Sequence, residues 1–270
     1  MECLVKTGII HYESYGQGKN IIILHAMGTD HRSMKGWLEP VFEKVAGWRR
    51  LYIDLPAHGK TIINDQLRTT EDMVQSLLAF IEKVIPNERF SLIGMSFGGY
   101  IAQGIVDQKS ELVNGICLIA PAIHKKDRVL PEKVVLSRDD DVLSTLNPDI
   151  RAAFELLTVH QTKENLSVFL SEVQPGRQLA NRQFLLSNWR DKGYFLNNET
   201  FSQIDSLDLP GLFILGRKDS VCGFMDHLSL LEKFPNASYV ILDDCGHLIP
   251  IEKRKVVQAL LEDWLIKISV

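Results

Sequence analysis

The stretch that most constrains this chain is Ser91-Leu92-Ile93-Gly94-Met95-Ser96-Phe97-Gly98-Gly99-Tyr100. An apolar strand runs into Gly-x-Ser-x-Gly-Gly and continues as a helical pattern through Ile101, Ala102, Ile105 and Val106. Strand, sharp turn and helix in that order are the context of a nucleophile elbow. The backbone at the serine of such a turn is strained, so Gly94 and Gly98 must keep its surroundings free of side chains. The hydroxyl then stands at a helix N-terminus, where free N–H groups and the helix dipole favour a developing negative charge. Ser96 is the expected nucleophile.

A serine hydroxyl is a weak nucleophile at neutral pH and needs a base, and the base needs a group that holds its tautomer. For an elbow of this kind the order along the chain is serine, then carboxylate, then histidine. Leu215-Gly216-Arg217-Lys218-Asp219 ends one predicted strand with a carboxylate, and Leu242-Asp243-Asp244-Cys245-Gly246-His247 follows the next with a histidine. Asp219 is preferred over Asp205 and Asp208 because it alone directly follows a strand. His247 is the expected base. Two backbone N–H groups should face the oxyanion: that of Phe97, just after the nucleophile, and that of Met27 in the loop His25-Ala26-Met27-Gly28. His25 itself reads as the residue that orients this loop.

The rest of the chain alternates. Residues 3–15 suggest a hairpin; Ile21–Leu24, Arg50–Asp54, the run that begins at Ser91 before the elbow, and Gly115–Ala120 read as strands, with helices over Ser33–Val45 and from a Thr70 cap to Val84. From about Ile123 to Asp205 no convincing strand occurs. There Asn147-Pro148 and Thr162 open two helical patterns and a third follows Pro175-Gly176, with Ile150, Phe154, Leu157, Leu166, Phe169, Leu170, Leu179, Leu186 and Trp189 on the inward faces. Strand Gly211–Leu215, helix Phe224–Phe234, strand Tyr239–Leu242 and helix Val256–Ile268 complete the order. This pattern predicts an α/β fold: a mostly parallel central sheet with helices on both faces, ligands at the carboxyl ends of its strands, and a helical lid inserted after the sixth strand. Residues 1–122 and 206–270 would form the core, and 123–205 the cap.

A formal charge of −4 over 270 residues and the absence of a basic stripe give no footprint for nucleic acid. No apolar run approaches membrane-spanning length, and the start lacks the apolar centre of a signal peptide. Cys3, Cys117, Cys222 and Cys245 are scattered, with no Cys-x-x-Cys pair, which suggests free thiols in a reducing, cytoplasmic setting. No cofactor or metal ligand set is visible. The expected partner is a small-molecule substrate, with the oligomeric state open.

With His25-Ala26-Met27-Gly28, Asp54-Leu55-Pro56-Ala57-His58-Gly59, Gly94-Met95-Ser96-Phe97-Gly98-Gly99, Gly216-Arg217-Lys218-Asp219 and Gly246-His247 followed by Glu252, the chain resembles the α/β-hydrolase superfamily, in its capped, esterase-like form. The likeness spans nearly the whole chain. It departs at Ala26 and Ala57, where glycine is more usual. The resemblance implies a serine hydrolase acting on a small, apolar carboxylic ester through a Ser96–His247–Asp219 acyl-enzyme mechanism. The runner-up it admits is hydrolysis of a carbon–carbon bond in a diketone-like metabolite; thioester or lactone cleavage and cofactor-free peroxidation are further options, and a slow ligand-binding receptor is a different class. Relatives with aspartate at the nucleophile position are dehalogenases and epoxide hydrolases, against which Ser96 argues. Phe154, Phe169 and Trp189 either line the substrate pocket or pack the lid onto the body, and Cys222 and Cys245 are either redox-sensitive or buried and inert.

Overall fold

The computed structural model describes residues 1–269. Its sheet is built from β1 (Glu2–Val5), β2 (Gly8–Tyr15), β3 (Lys19–Leu24), β4 (Trp48–Ile53), β5 (Ile62–Ile63), β6 (Phe90–Met95) and β7 (Val113–Ile119), joined by β10 (Gly211–Gly216) and β11 (Ala237–Leu242). The spatial order is β1-β2-β4-β3-β6-β7-β10-β11, with β5 on β2. β1, β2 and β5 pair antiparallel, and every pairing from β4 to β11 is parallel. Parallel strands need both faces covered, which is why these runs are apolar throughout rather than alternating. Successive side chains feed opposite layers: Ile22, Leu24, Leu92 and Leu118 join one core, and Ile21, Ile23, Ile93 and Ile119 the other.

Helices α2 (Thr70–Val84) and α3 (Phe97–Lys109) cover the first layer with Met73, Leu77, Phe80, Tyr100 and Ile105. Across the sheet, α1 (Arg32–Phe42) and the C-terminal helix Arg254–Lys267 cover the second with Trp37, Leu38, Val41, Leu261 and Trp264. The cap of α2 lies one residue before the expected one. Thr69, not Thr70, takes the N–H of Asp72 on its hydroxyl, and Asp72 returns the bond to the Thr69 N–H. Thr70 is buried in the first turn instead.

Between β7 and β10 the chain is mainly short helices: α4 (Asp140–Ser144), α5 (Pro148–Leu157), α6 (Lys163–Val168), α7 (Gln174–Leu179), α8 (Arg182–Leu185) and α9 (Trp189–Lys192). Asn147 and Thr162 cap α5 and α6 as expected. Four features differ from the sequence reading. A two-residue parallel pair, β8 (Ser137–Arg138) with β9 (His160–Gln161), is too short to leave a periodic signal. β5 is equally brief and puts the helical segment after the seventh strand in chain order. A π-helical turn, Phe169–Val173, joins α6 to α7, so Pro175 stands at the start of α7 within a longer run. Leu170 and Leu179, in and just after that break, are exposed, and so is Leu186 at the end of the separate helix α8, at 81%. After β10, Phe224–Phe234 contains only the 3₁₀ helix Met225–Leu230. The last helices are α10 (Ile249–Glu252) and α11, the Arg254–Lys267 helix already described.

Because the α2 cap satisfies two N–H groups at once, Thr69→Ala is expected to destabilise the protein by about 1 kcal/mol. Urea unfolding of the variant beside wild type checks this.

Candidate active site

The sheet brings the ends of β3, β6, β10 and β11 to one edge, and the residues singled out in the sequence meet there. Ser96 lies between β6 and α3 at φ 51°, ψ −118°, a conformation that L residues rarely adopt. The turn closes only because Gly98 has no side chain: a Cβ there would stand 2.4 Å from Leu24 O and 2.5 Å from His25 O. That contact also sets the loop after β3 beside the elbow. Ser96 N–H donates to Ile119 O and its carbonyl accepts from Ala122, so neighbouring backbone holds the strained residue from both sides.

His247 Nε2 is 2.9 Å from Ser96 Oγ, and His247 Nδ1 is 2.8 Å from Asp219 Oδ2. The other oxygen of Asp219 accepts the N–H groups of Val221 and Cys222 at 2.8 and 3.0 Å. All three side chains are buried. The loops that carry Asp219 and His247 are tied to each other, with Arg217 N–H donating to Leu242 O and Lys218 N–H to Cys245 O. Asp205 and Asp208 are exposed. A hydroxyl, an imidazole and a carboxylate in one hydrogen-bonded line can transfer the serine proton and hold the resulting cation.

Burial alone would push Asp219 up, but the charge and hydrogen bond of His247, with the two N–H donors, hold it below the ordinary carboxylate range. Burial would likewise lower His247; the charge of Asp219, aided by the neighbouring Cys222 and the Asp219 hydrogen bond, holds it well above the ordinary imidazole value.

Phe97 is the first residue of α3, so its N–H has no intrahelical acceptor and is available beside Ser96. Met27 lines the cavity in front of Ser96, followed by Gly28 in the left-handed region at φ 73°. The Met27 loop is fastened from behind. His25 Nε2 accepts the Leu55 N–H at 3.0 Å, which makes Nδ1 the protonated nitrogen donating to Ala26 O at 2.8 Å. Burial lowers the pKa of His25, so it stays neutral in this orienting role. A second tie runs from His31, whose backbone N–H and Nδ1 both reach Asp54 Oδ1, at 3.0 and 2.7 Å. Ala26 does not adopt a positive φ, so alanine costs nothing there, whereas Ala57 stands at φ 66°, where glycine would be relaxed.

The cavity at Ser96 and His247 is about 390 Å³, walled chiefly by apolar groups including Met27, Leu157, Val173, Ala180, Leu185 and Leu248. The three aromatic pocket candidates are not on that wall. Phe154 and Phe169 face each other in the second core layer, and Trp189 packs on Phe97, Phe184 and Tyr194. Large rings satisfy burial first. The Phe97 ring belongs to the same cluster and does not report substrate shape.

Glu252 is the residue whose weight the sequence understated. Its two oxygens accept three backbone N–H groups, from Gly246 at 2.6 Å and from Val159 and His160 at 2.7 Å each. The N–H groups of His247 and Leu248 also donate to Leu157 O. The histidine loop is thereby clamped to the helical segment. A glutamate five residues beyond a histidine is the sequence trace of this. Cys222 and Cys245 are buried and form no disulfide; burial pushes the Cys245 thiol up to about 12.

Residues 21–259 match the model of the alpha/beta hydrolase family. The chain belongs to that family. Among solved structures of the family it is similar to an alpha/beta superfamily hydrolase from Oenococcus oeni PSU-1, with a TM-score of 0.86 and 26% identity over 100% of both chains. It is 23% identical over 249 residues, 89% of this chain and 82% of the relative, to a 2-hydroxy-6-oxo-6-(2'-aminophenyl)hexa-2,4-dienoic acid hydrolase of Metapseudomonas resinovorans. It is 21% identical over 253 residues, 88% of this chain and 92% of the relative, to a pimeloyl-acyl-carrier-protein methyl ester esterase of Aeromonas salmonicida. Esterases, lipases, carbon–carbon hydrolases and a peptidase thus all occur among its relatives in the hydrolase family.

Glu252→Ala leaves three partly buried N–H groups without acceptors and is expected to cost about 2–3 kcal/mol in urea unfolding. It should also reduce kcat more than it changes KM, with Glu252→Gln recovering part of both. The raised His247 pKa has a defined sign: the imidazole is a base only when neutral, so kcat/KM should rise with pH along a limb centred above about 6.5. The His247–Asp219 pair stabilises the folded state fully between about pH 4 and about pH 6.5; that contribution fades as pH rises through the raised His247 pKa and as it falls toward the lowered Asp219 pKa. A pH–rate profile and urea midpoints across pH read the two effects.

Proposed function

We propose that this chain is a serine hydrolase that cleaves a small, largely apolar carboxylic ester by acyl transfer. The observation that carries the reading is the continuous line Ser96–His247–Asp219, opening on a cavity whose wall is mostly apolar. His247 takes the proton as Ser96 Oγ attacks the carbonyl carbon. Asp219 steadies the imidazolium, and the N–H groups of Phe97 and Met27 receive the oxyanion. The proton then passes from His247 to the departing alcohol. Water, deprotonated by the same imidazole, releases the acid and restores Ser96. Loss of one oxyanion donor typically costs about 3 kcal/mol of transition-state stabilisation.

Residues 1–122 and 206–270 act in this reading as the hydrolase body and 123–205 as a lid that sets substrate shape, since Leu157, Val173, Ala180 and Leu185 come from that segment. The second reading is carbon–carbon bond hydrolysis in a diketone-like metabolite, favoured by the likeness to the hexa-2,4-dienoic acid hydrolase. Among the described residues no helix is long and apolar enough to cross a membrane. The free thiols fit a reducing compartment, and we place the enzyme in the cytoplasm acting on a small molecule, without nucleic acid or membrane.

Ser96→Ala should abolish hydrolysis of short p-nitrophenyl esters and labelling by a fluorophosphonate, with an unchanged circular dichroism spectrum. Labelling that persists at wild-type strength in the variant would remove Ser96 from its role. Rapid turnover of diketones with negligible ester turnover would favour the second reading.

A further inference from the structure

We propose that the substrate of this cavity carries a carboxylate at the end remote from the scissile bond, and that Arg177, with Arg182 beside it, binds that carboxylate. The inference rests on the ester-hydrolase reading for the bond cleaved, but not for the binding itself.

The cavity wall is apolar apart from the groups at Ser96 and His247, Thr29 and three charged side chains, Asp149, Arg177 and Arg182. Both arginines turn to the same acceptor: Arg177 Nη2 and Arg182 Nη2 each lie 3.0 Å from Asp149 Oδ2. Two cations against one anion leave one positive charge uncompensated at the wall. A single carboxylate matches that charge, whereas a doubly charged phosphate would exceed it.

Arg177 is the less exposed of the two, at 16% against 57% for Arg182. Its Nε–H is buried and has no hydrogen-bond partner, although its guanidinium is held at one end by Asp149 and lies 5.9 Å over the Phe169 ring. An unpaired, desolvated donor on a cation is unfavourable. A guanidinium pairs with a carboxylate through two parallel N–H groups, a fork that would engage the open Nε–H of this cavity-lining arginine together with one Nη–H.

The arginine reaches this wall by a close approach of backbones. A Cβ at Gly176 would stand 2.4 Å from Asp30 N and 2.7 Å from Thr29 C, so α7 lies directly on the loop that follows Met27. The expected oxyanion loop and the arginine are thereby held at a fixed separation, as discrimination by chain length requires. A role confined to tying α7 to α5 through Asp149 would satisfy Nη2 but would leave the Nε–H unpaired and the net charge unmatched.

The test compares monomethyl adipate with methyl hexanoate, which share a six-carbon acyl chain and differ in a terminal carboxylate against a methyl group. Isothermal titration calorimetry on the Ser96→Ala protein reads binding without turnover, so failure of the ester reading and failure of this inference stay distinguishable. The acid should bind about tenfold to a hundredfold more tightly, with the difference shrinking in high salt. Arg177→Gln should bring the ratio close to 1, and Arg177→Lys, which keeps the charge but loses the fork, should fall between. Asp149→Asn removes the competing anion and should move the ratio the opposite way, upward, which loss of a structural tie would not do. The corresponding p-nitrophenyl esters should show the same ratios in KM. A wild-type ratio at or below 1, or a ratio unchanged in both the Arg177→Gln and Asp149→Asn proteins, would overturn the proposal.

Discussion

The hydrogen bond from Ser96 to His247 joins residues 151 positions apart, and the rest of the site depends on it. Such a bond is unaffordable for flexible loops, because its geometry is lost with movements of well under an ångström. It persists because both partners leave the ends of strands in one parallel sheet, where register is set by continuous apolar burial on two faces. β6 pairs with β7, β7 with β10 and β10 with β11, so the elbow, the Asp219 loop and the His247 loop start from neighbouring fixed points. The remaining freedom is removed by backbone bonds between the loops and by the two N–H groups that hold the outer oxygen of Asp219.

Buried charge around the site follows the same logic. Asp54 is fully buried, yet it accepts from His31 twice and from the Lys60 N–H, and these bonds hold its carboxyl below the ordinary range against the burial that would raise it. Its satisfied charge ties the loop after β3 to the loop after β4. Glu252, half-buried, ties the histidine loop with three backbone donors, which oppose the burial that raises its carboxyl above the ordinary range. Each carboxylate is safe in the interior only because every oxygen has donors, and each becomes a rigid support for that reason. Arg177 stands apart as a cation near the cavity with a donor left open.

Much of the fold and site was legible in the residues. Continuous apolar runs marked the parallel strands, and Gly94, Ser96 and Gly98 marked the elbow, since few other residues tolerate that turn. Asp219 and His247 stood out because each follows a strand end. What escaped was local or three-dimensional. β5, β8 and β9 are two-residue pairings without a period to detect. The π-helical turn at Phe169–Val173 broke the helical period between α6 and α7, and Leu170 and Leu179 are exposed. Thr69 and Thr70 offer the same chemistry, and only the geometry of Asp72 chose between them.

The division has a physical reason. Sequence by itself determined the secondary-structure order, the strained serine and the chemistry available at strand ends, because each depends on neighbours along the chain. Tertiary structure alone decided what surrounds the serine: which side chains from the helical segment wall the cavity, that Phe154, Phe169 and Trp189 pack instead, and that Arg177 and Arg182 share one carboxylate. Those outcomes turn on contacts between residues far apart in the chain, where packing chooses among side chains that local pattern treats as equivalent.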